Sequence, residues 1–149
     1  MIYIETRQEF SDSSLLEHAA RLVLDSGSIS ANVDVTIVLT DDAQLHELNR
    51  DYLGVDAPTD VLSFPASESD PETGTPYLGD ILISIPRAAA QAQSSGHRLE
   101  EEVQLLVVHG TLHLIGHDHA EAGDKARMWA AQAEVLARLG LSHIKIQDT

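Results

Sequence analysis

The chain contains no cysteine. Disulfides and cysteine-ligated zinc are therefore excluded, and any bound metal must use His, Asp or Glu. Aromatic residues make up only 4%, which gives little support to a stacking-based single-strand binder. Basic residues are scarce too: nine Lys and Arg stand against 24 Asp and Glu, a formal charge of −15. Such a chain is soluble and repels polyanions at long range. Non-specific nucleic-acid binding, which needs Lys and Arg against phosphates, is disfavoured. A local positive site could still form if a divalent ion sat near Arg50, Arg87 or Arg98. No apolar run approaches the roughly 20 residues of a spanning helix, so no membrane association is expected. The segment MIYIETRQEF has no basic start, long apolar centre or small-residue cleavage site. No signal peptide is expected there, and a cytoplasmic location fits.

What is present is enough for one core. The 149 residues are 43% hydrophobic, the size and composition of a single domain over residues 1–149. No internal repeat is visible. Residues 2–5 read as a short edge strand. Ser11 is placed to cap a helix, with Phe10 and Leu15 as a hydrophobic staple. Leu15, Leu16, Ala19, Leu22 and Val23 then recur at helical spacing as far as Gly27. Residues 33–39 are β-branched and alternating, which predicts a strand. Asp41 and Gln44 form a capping-box pattern opening a helix to about Tyr52. Strands are predicted over residues 61–64 and 77–85, with a Ser-, Pro- and Gly-rich loop, 66–76, between them. Ser84 and Pro86 open an alanine-rich helix closed near Gly96. A helix from Arg98 to Ile115 starts with Glu100, Glu101 and Glu102 at its positive end, read as a solvated face. Its far half is apolar almost all round and is expected to be buried. A last helix spans residues 120–139 and stops at Gly140. The order predicts an α+β fold: a mixed sheet of about four strands packed with about five helices.

The chemistry concentrates in residues 109–119, HGTLHLIGHDH, with four histidines and one aspartate in eleven residues. His109 and His113 are four apart, so a helix puts them on one face. Buried in an apolar helix, they need a partner, since an unsatisfied polar group there costs about 1–3 kcal/mol. A shared metal ion supplies one. Gly116 offers a stop, and His119 follows it as a third ligand. Three histidines and an open fourth position make the ligand set of a catalytic zinc, whose bound water would be the reactive group. Imidazole ligands suit other first-row divalent metals as well. Two blander readings stand beside this one. Eight histidines in a short chain make chance neighbours more frequent. The metal could also be structural, with Asp118 as a fourth ligand. Asp118 is otherwise read as orienting an imidazole or capping the chain end, and His117 as a surface residue. Zinc proteases of the HExxH type carry a glutamate after the first histidine as general base. Gly110 stands there, which disfavours peptide hydrolysis by that route.

The same run resembles the signature of the YbeY family of bacterial metallo-endoribonucleases. DAPTDVLSFP at 56–65 and LGDILIS at 78–84 agree with it in order and spacing. The resemblance implies a mixed four-stranded sheet and a zinc-type ion on His109, His113 and His119. It also implies single-strand-specific cleavage in ribosomal RNA maturation, notably at the small-subunit 3′ end, and ribosome quality control. Ribosomal proteins and assembly GTPases are the implied partners. The chain departs from the family at Leu53, where many members carry an arginine in a Tyr-Arg-Gly context. Arg50, three residues earlier, is the candidate phosphate contact in its place; no other catalytic residue is assigned.

Asp60 and Asp80 read as caps or partners of buried backbone, with orientation of a zinc histidine as the functional alternative. Thr59 and Ser63 read as local hydrogen-bonders or cleft-lining residues, and Trp129 as core. Two further functions remain open. One is a metal hydrolase of a peptide or small ester. The other is a ribosome-assembly factor with a mainly structural metal, whose negative charge favours basic ribosomal proteins.

Overall fold

A computed structural model describes residues 1–27, 29, 32–66, 76–118 and 120–144. His119 and nearly all of the 66–76 loop fall outside the described residues. The elements follow in the order β1 (Ile2–Thr6), α1 (Ser13–Ser26), β2 (Asp34–Thr40), α2 (Asp42–Leu53), β3 (Val61–Pro65), β4 (Tyr77–Ser84), α3 (Ile85–Ser95), α4 (Leu99–Leu114) and α5 (Ala122–Arg138). The strands form one mixed sheet in the order β1-β2-β4-β3. β1, β2 and β4 run parallel, and β3 closes the edge antiparallel to β4. The α+β fold expected from the sequence is therefore present, with boundaries within one or two residues for most elements.

The helix ends follow capping chemistry. Asp41 accepts the Gln44 amide at 2.9 Å, and Ser84 accepts that of Arg87 at 3.2 Å with Pro86 in the same turn. One start differs from the sequence reading. The N-cap of α1 is Asp12, whose carboxylate accepts the Ser14 amide at 3.1 Å. Ser11 instead donates its hydroxyl to Glu100 at 3.1 Å. The frame shifts by one residue, and Leu16 rather than Leu15 is fully buried.

The alternation of strand residues divides the apolar interior into two layers. Val35, Ile37 and Leu39 of β2 and Ile81 and Ile83 of β4 face the large core that holds α1 and α4. Val38, Leu82 and Leu62 point to the opposite face, where Leu45, Leu48 and Phe64 cover them. This is the period-2 consequence of a pleated sheet with both faces packed. α4 lies centrally in the larger layer, and twelve of its 16 residues are buried. Those twelve include Glu101 and Glu102, which corrects the expectation of a solvated helix start. Glu102 pairs with His97 at 2.5 Å and Glu101 with His143 at 2.7 Å. Buried charge is tolerated because each carboxylate has a partner.

Candidate metal centre

α4 meets the sheet most closely at Gly110. A Cβ built there would lie 2.8 Å from Ile81 Cγ2 and 3.1 Å from the Ser63 hydroxyl. The Ser63 hydroxyl donates to the Gly110 carbonyl at 3.0 Å, tying β3 to the helix. Position 110 thus faces the sheet, and glycine is required by space. A glutamate here could not enter the helix–sheet contact, so the absence of a protease-type base has a packing cause. The neighbouring face of α4, carrying His109 and His113, opens instead onto a cleft.

That cleft has a volume of about 600 Å³. Thr59, Asp60 and the β3 residues Val61, Leu62, Ser63 and Pro65 form one side, with Leu53 of α2 at its edge. His109 and His113 form the floor, and Gly116, His117 and Asp118 the other side. The turn after α4 explains that last wall. The His117 amide donates to the Leu112 carbonyl at 3.0 Å and the Gly116 amide to that of His113 at 3.1 Å. This is a Schellman ending with Gly116 at φ 103°, and it folds the chain back over the cleft. His117, expected to lie apart at the surface, lines the cleft for this reason. Thr59 and Ser63 line it as well, while their hydroxyls reach Asp60 at 3.5 Å and Gly110 at 3.0 Å.

The Nε2 atoms of His109 and His113 are 3.2 Å apart. Two nitrogen ligands of one tetrahedral ion, at about 2.0–2.1 Å each, stand about 3.3 Å from one another. The pair therefore fits a shared ion with no ring movement. The opposite nitrogen of His109, Nδ1, lies 3.0 Å from the Gln132 Oε1 of α5. A carbonyl oxygen only accepts, so Nδ1 carries the hydrogen and Nε2 keeps its lone pair toward the cleft. Gln132 is 2% exposed, in line with Met128, Val135 and Leu136 on the buried face of α5. A polar residue in that apolar stripe was the available sequence signal, and it went unread. Trp129 packs against the core and also stands edge-on to His109, 6.0 Å between ring centroids.

Among the described residues, no group of three or more His, Cys, Asp or Glu side chains comes within ligating reach of one point. His119, the expected third ligand, lies outside them. No Lys or Arg is among the described residues lining the cleft. Arg50 is exposed on α2, its Nε 3.0 Å from Asp51, and is not part of the lining. Arg87 grips Asp42 through two contacts of 2.8 and 2.9 Å, and this holds the Asp42 carboxyl below its usual range. Asp80 accepts the Tyr77 hydroxyl. The Asp60 carbonyl accepts the Ser84 amide at 3.0 Å. Burial pushes Glu102 up, against its pairing with His97, and the charge of Asp60 adds to the rise.

Fold and site together define an α+β protein with a two-imidazole centre at the floor of an open cleft. Comparison with known proteins shows the family. The chain belongs to the family described as Endoribonuclease YbeY, which matches residues 3–140. An Endoribonuclease YbeY of Roseiflexus sp. is 48% identical over 139 residues, covering 89% of this chain and 87% of the relative. That of Desulfitobacterium hafniense is 45% identical over 144 residues, covering 93% and 92%. The solution structure of a Thermotoga maritima protein matches with a TM-score of 0.58 at 27% identity, over 100% of this chain and 99% of that one.

Proposed function

We propose that the protein is a metal-dependent, single-strand-specific endoribonuclease that matures ribosomal RNA in the cytoplasm, notably at the small-subunit 3′ end, and serves ribosome quality control. One zinc ion, or a similar first-row divalent ion, is assigned to His109, His113 and His119. The observation that carries this reading is the 3.2 Å convergence of two Nε2 atoms at the floor of the cleft, in a chain of the Endoribonuclease YbeY family. When bound, such an ion supplies Lewis acidity and a nucleophile at neutral pH.

The chain's own residues prepare that site. His109 and His113 present lone pairs from one helical face. Gln132 holds the His109 ring by accepting its Nδ1 hydrogen, which fixes both tautomer and orientation. Ser63 and Gly110 lock β3 against α4, so the wall beside the imidazoles does not drift. Thr59 and Ser63 offer hydroxyls, and Asp60 and Asp118 carboxylates, along the cleft. A phosphate contact by Arg50 has to compete with Asp51. With Leu53 at the edge and no cation among the described lining residues, the resident ion is the main positive charge a phosphodiester would meet. The formal charge of −15 supports basic ribosomal proteins as partners, an assembly GTPase remaining the second expectation.

The test is His113→Ala. The purified variant should keep its circular dichroism and lose its bound metal by elemental analysis. Cleavage of single-stranded ribosomal RNA should fall by more than the ~10–100-fold expected for a residue that merely supports a ligand. Full activity in this variant, or in metal-stripped protein, rejects the reading. Cleavage of peptides rather than RNA in a parallel assay would favour the other hydrolase reading.

A further inference from the structure

Tyr52 is 71% exposed, Leu53 57% and Val55 49%; with Met1 at 63% they are the most exposed large hydrophobic side chains among the described residues. They follow one another at the end of α2, and Leu53 lines the cleft itself. Exposed apolar surface in such a cluster marks a binding site more often than scattered single residues do. The segment is also held in place. The Val55 amide donates to the Asn49 carbonyl at 3.1 Å, and the buried Asn49 side chain donates to the Ala57 carbonyl at 2.9 Å. Phe64 on β3 meets the Tyr52 ring edge to face, centroids 5.9 Å apart and planes at 71°. That contact grips one side of the ring and leaves the rest to solvent.

We propose that Tyr52, on the shelf it forms with Leu53 and Val55, stacks on one unpaired base of the RNA strand whose phosphodiester occupies the cleft. The proposal rests on the ribonuclease reading above. Charge gives little help in holding an RNA strand here. The protein carries −15 overall, Arg50 is engaged by Asp51, and the described cleft lining has no Lys or Arg. Phosphate neutralisation therefore contributes little to holding the strand. Stacking needs no charge and accepts any base, because every base has a π-face. A single exposed ring also explains a single-strand preference, since bases inside a duplex are already stacked on both faces. With aromatics at only 4% of the chain, Tyr52 stands as one exposed ring next to the cleft-lining Leu53 rather than as part of a platform.

The experiment uses metal-loaded wild type, Tyr52→Ala and Tyr52→Phe on a fluorescent single-stranded RNA. The same RNA is also prepared with one abasic nucleotide stepped along it. Tyr52→Ala should raise KM roughly 5- to 100-fold, with kcat and metal content unchanged, and Tyr52→Phe should keep the wild-type KM. One abasic position should raise the wild-type KM by a similar factor and cost Tyr52→Ala nothing more. An unchanged KM in Tyr52→Ala, while the wild type cleaves, overturns the proposal and assigns the shelf to a protein partner. A Tyr52→Phe defect equal to that of alanine overturns it in favour of a hydroxyl hydrogen bond. Abasic sensitivity that persists undiminished in Tyr52→Ala also overturns it. A wild type that neither binds nor cleaves RNA overturns the ribonuclease reading, and this one with it.

Discussion

At its N-terminal end α4 holds Glu101 against His143 at 2.7 Å and Glu102 against His97 at 2.5 Å. About two turns further along, the same helix holds His109 and His113 with their Nε2 atoms 3.2 Å apart on the floor of a cleft. Both ends bring histidine against the buried helix: His97 with an almost fully covered side chain, His143 from an exposed position. At the first, a carboxylate on α4 accepts an imidazole from a neighbouring segment. At the second, two imidazoles turn toward each other and toward open space. The first arrangement consumes hydrogen-bonding capacity and stabilises. The second brings two ring nitrogens to 3.2 Å from each other, the spacing of two ligands of one tetrahedral ion. Histidine in a core is thus a sign of function only when its partners are known.

The two glutamates differ from each other as well. Glu101 accepts the Arg98 amide at 2.9 Å, and that backbone bond, helped by His143, lowers its pKa against the effect of burial. Glu102 has no such backbone donor, and burial outweighs His97 to raise it.

Four substitutions would break or sharpen this comparison. The largest effect is expected from Glu102→Ala, which leaves His97 buried beside a void. Breaking a buried pair costs about 3–5 kcal/mol, read by urea unfolding, while the folded fraction keeps its metal. Loss of metal at unchanged stability would erase the distinction between the two ends. Gln132→Leu should do the reverse. Metal affinity should fall ~10–100-fold in a competition titration, because the His109 tautomer is no longer fixed, and the unfolding midpoint of the metal-free protein should move little. The smallest effect concerns pH. Glu101 has a lowered folded pKa, so its contribution is present above about pH 4.5, the unfolded value, and is lost as pH falls through the folded one. Glu101→Gln should therefore flatten the acid limb of the stability curve. Glu102, shifted upward, contributes below about pH 4.5 and loses that contribution as pH rises. Glu102→Gln should flatten the curve on the other side, and the same change from both variants would reject the assignment of opposite shifts.

Much of this was legible from local pattern. The strand and helix order, the Asp41 and Ser84 caps and the stop at Gly116 all rest on short-range chemistry, and the structure bears them out. The α1 cap went to Asp12 because two adjacent residues, Ser11 and Asp12, both suit an N-cap, and only the carboxylate reaches the Ser14 amide. The acidic run 100–102 was misread for a different reason. Three consecutive acids look solvated from the sequence, yet a helix distributes them around its axis, and packing turned two of them inward. Gln132 shows in the sequence only as a polar residue in the apolar stripe of α5, because its partner, His109 on α4, is distant in the chain.

The sequence by itself determined the elements, the α+β class and the helical spacing that sets His109 beside His113. Those follow from periods of 2 and 3.6 residues and from caps a few residues long. Only the tertiary structure decided what those elements enclose. The approach of α4 to the sheet at Gly110 excludes a side chain there, and the Schellman turn brings His117 and Asp118 over the cleft. α5 supplies the amide behind His109, and the end of α2 adds Leu53 to the cleft lining. The contacts at Gly110, His109 and the cleft walls depend on distances between segments far apart in the chain, which local periodicity does not encode.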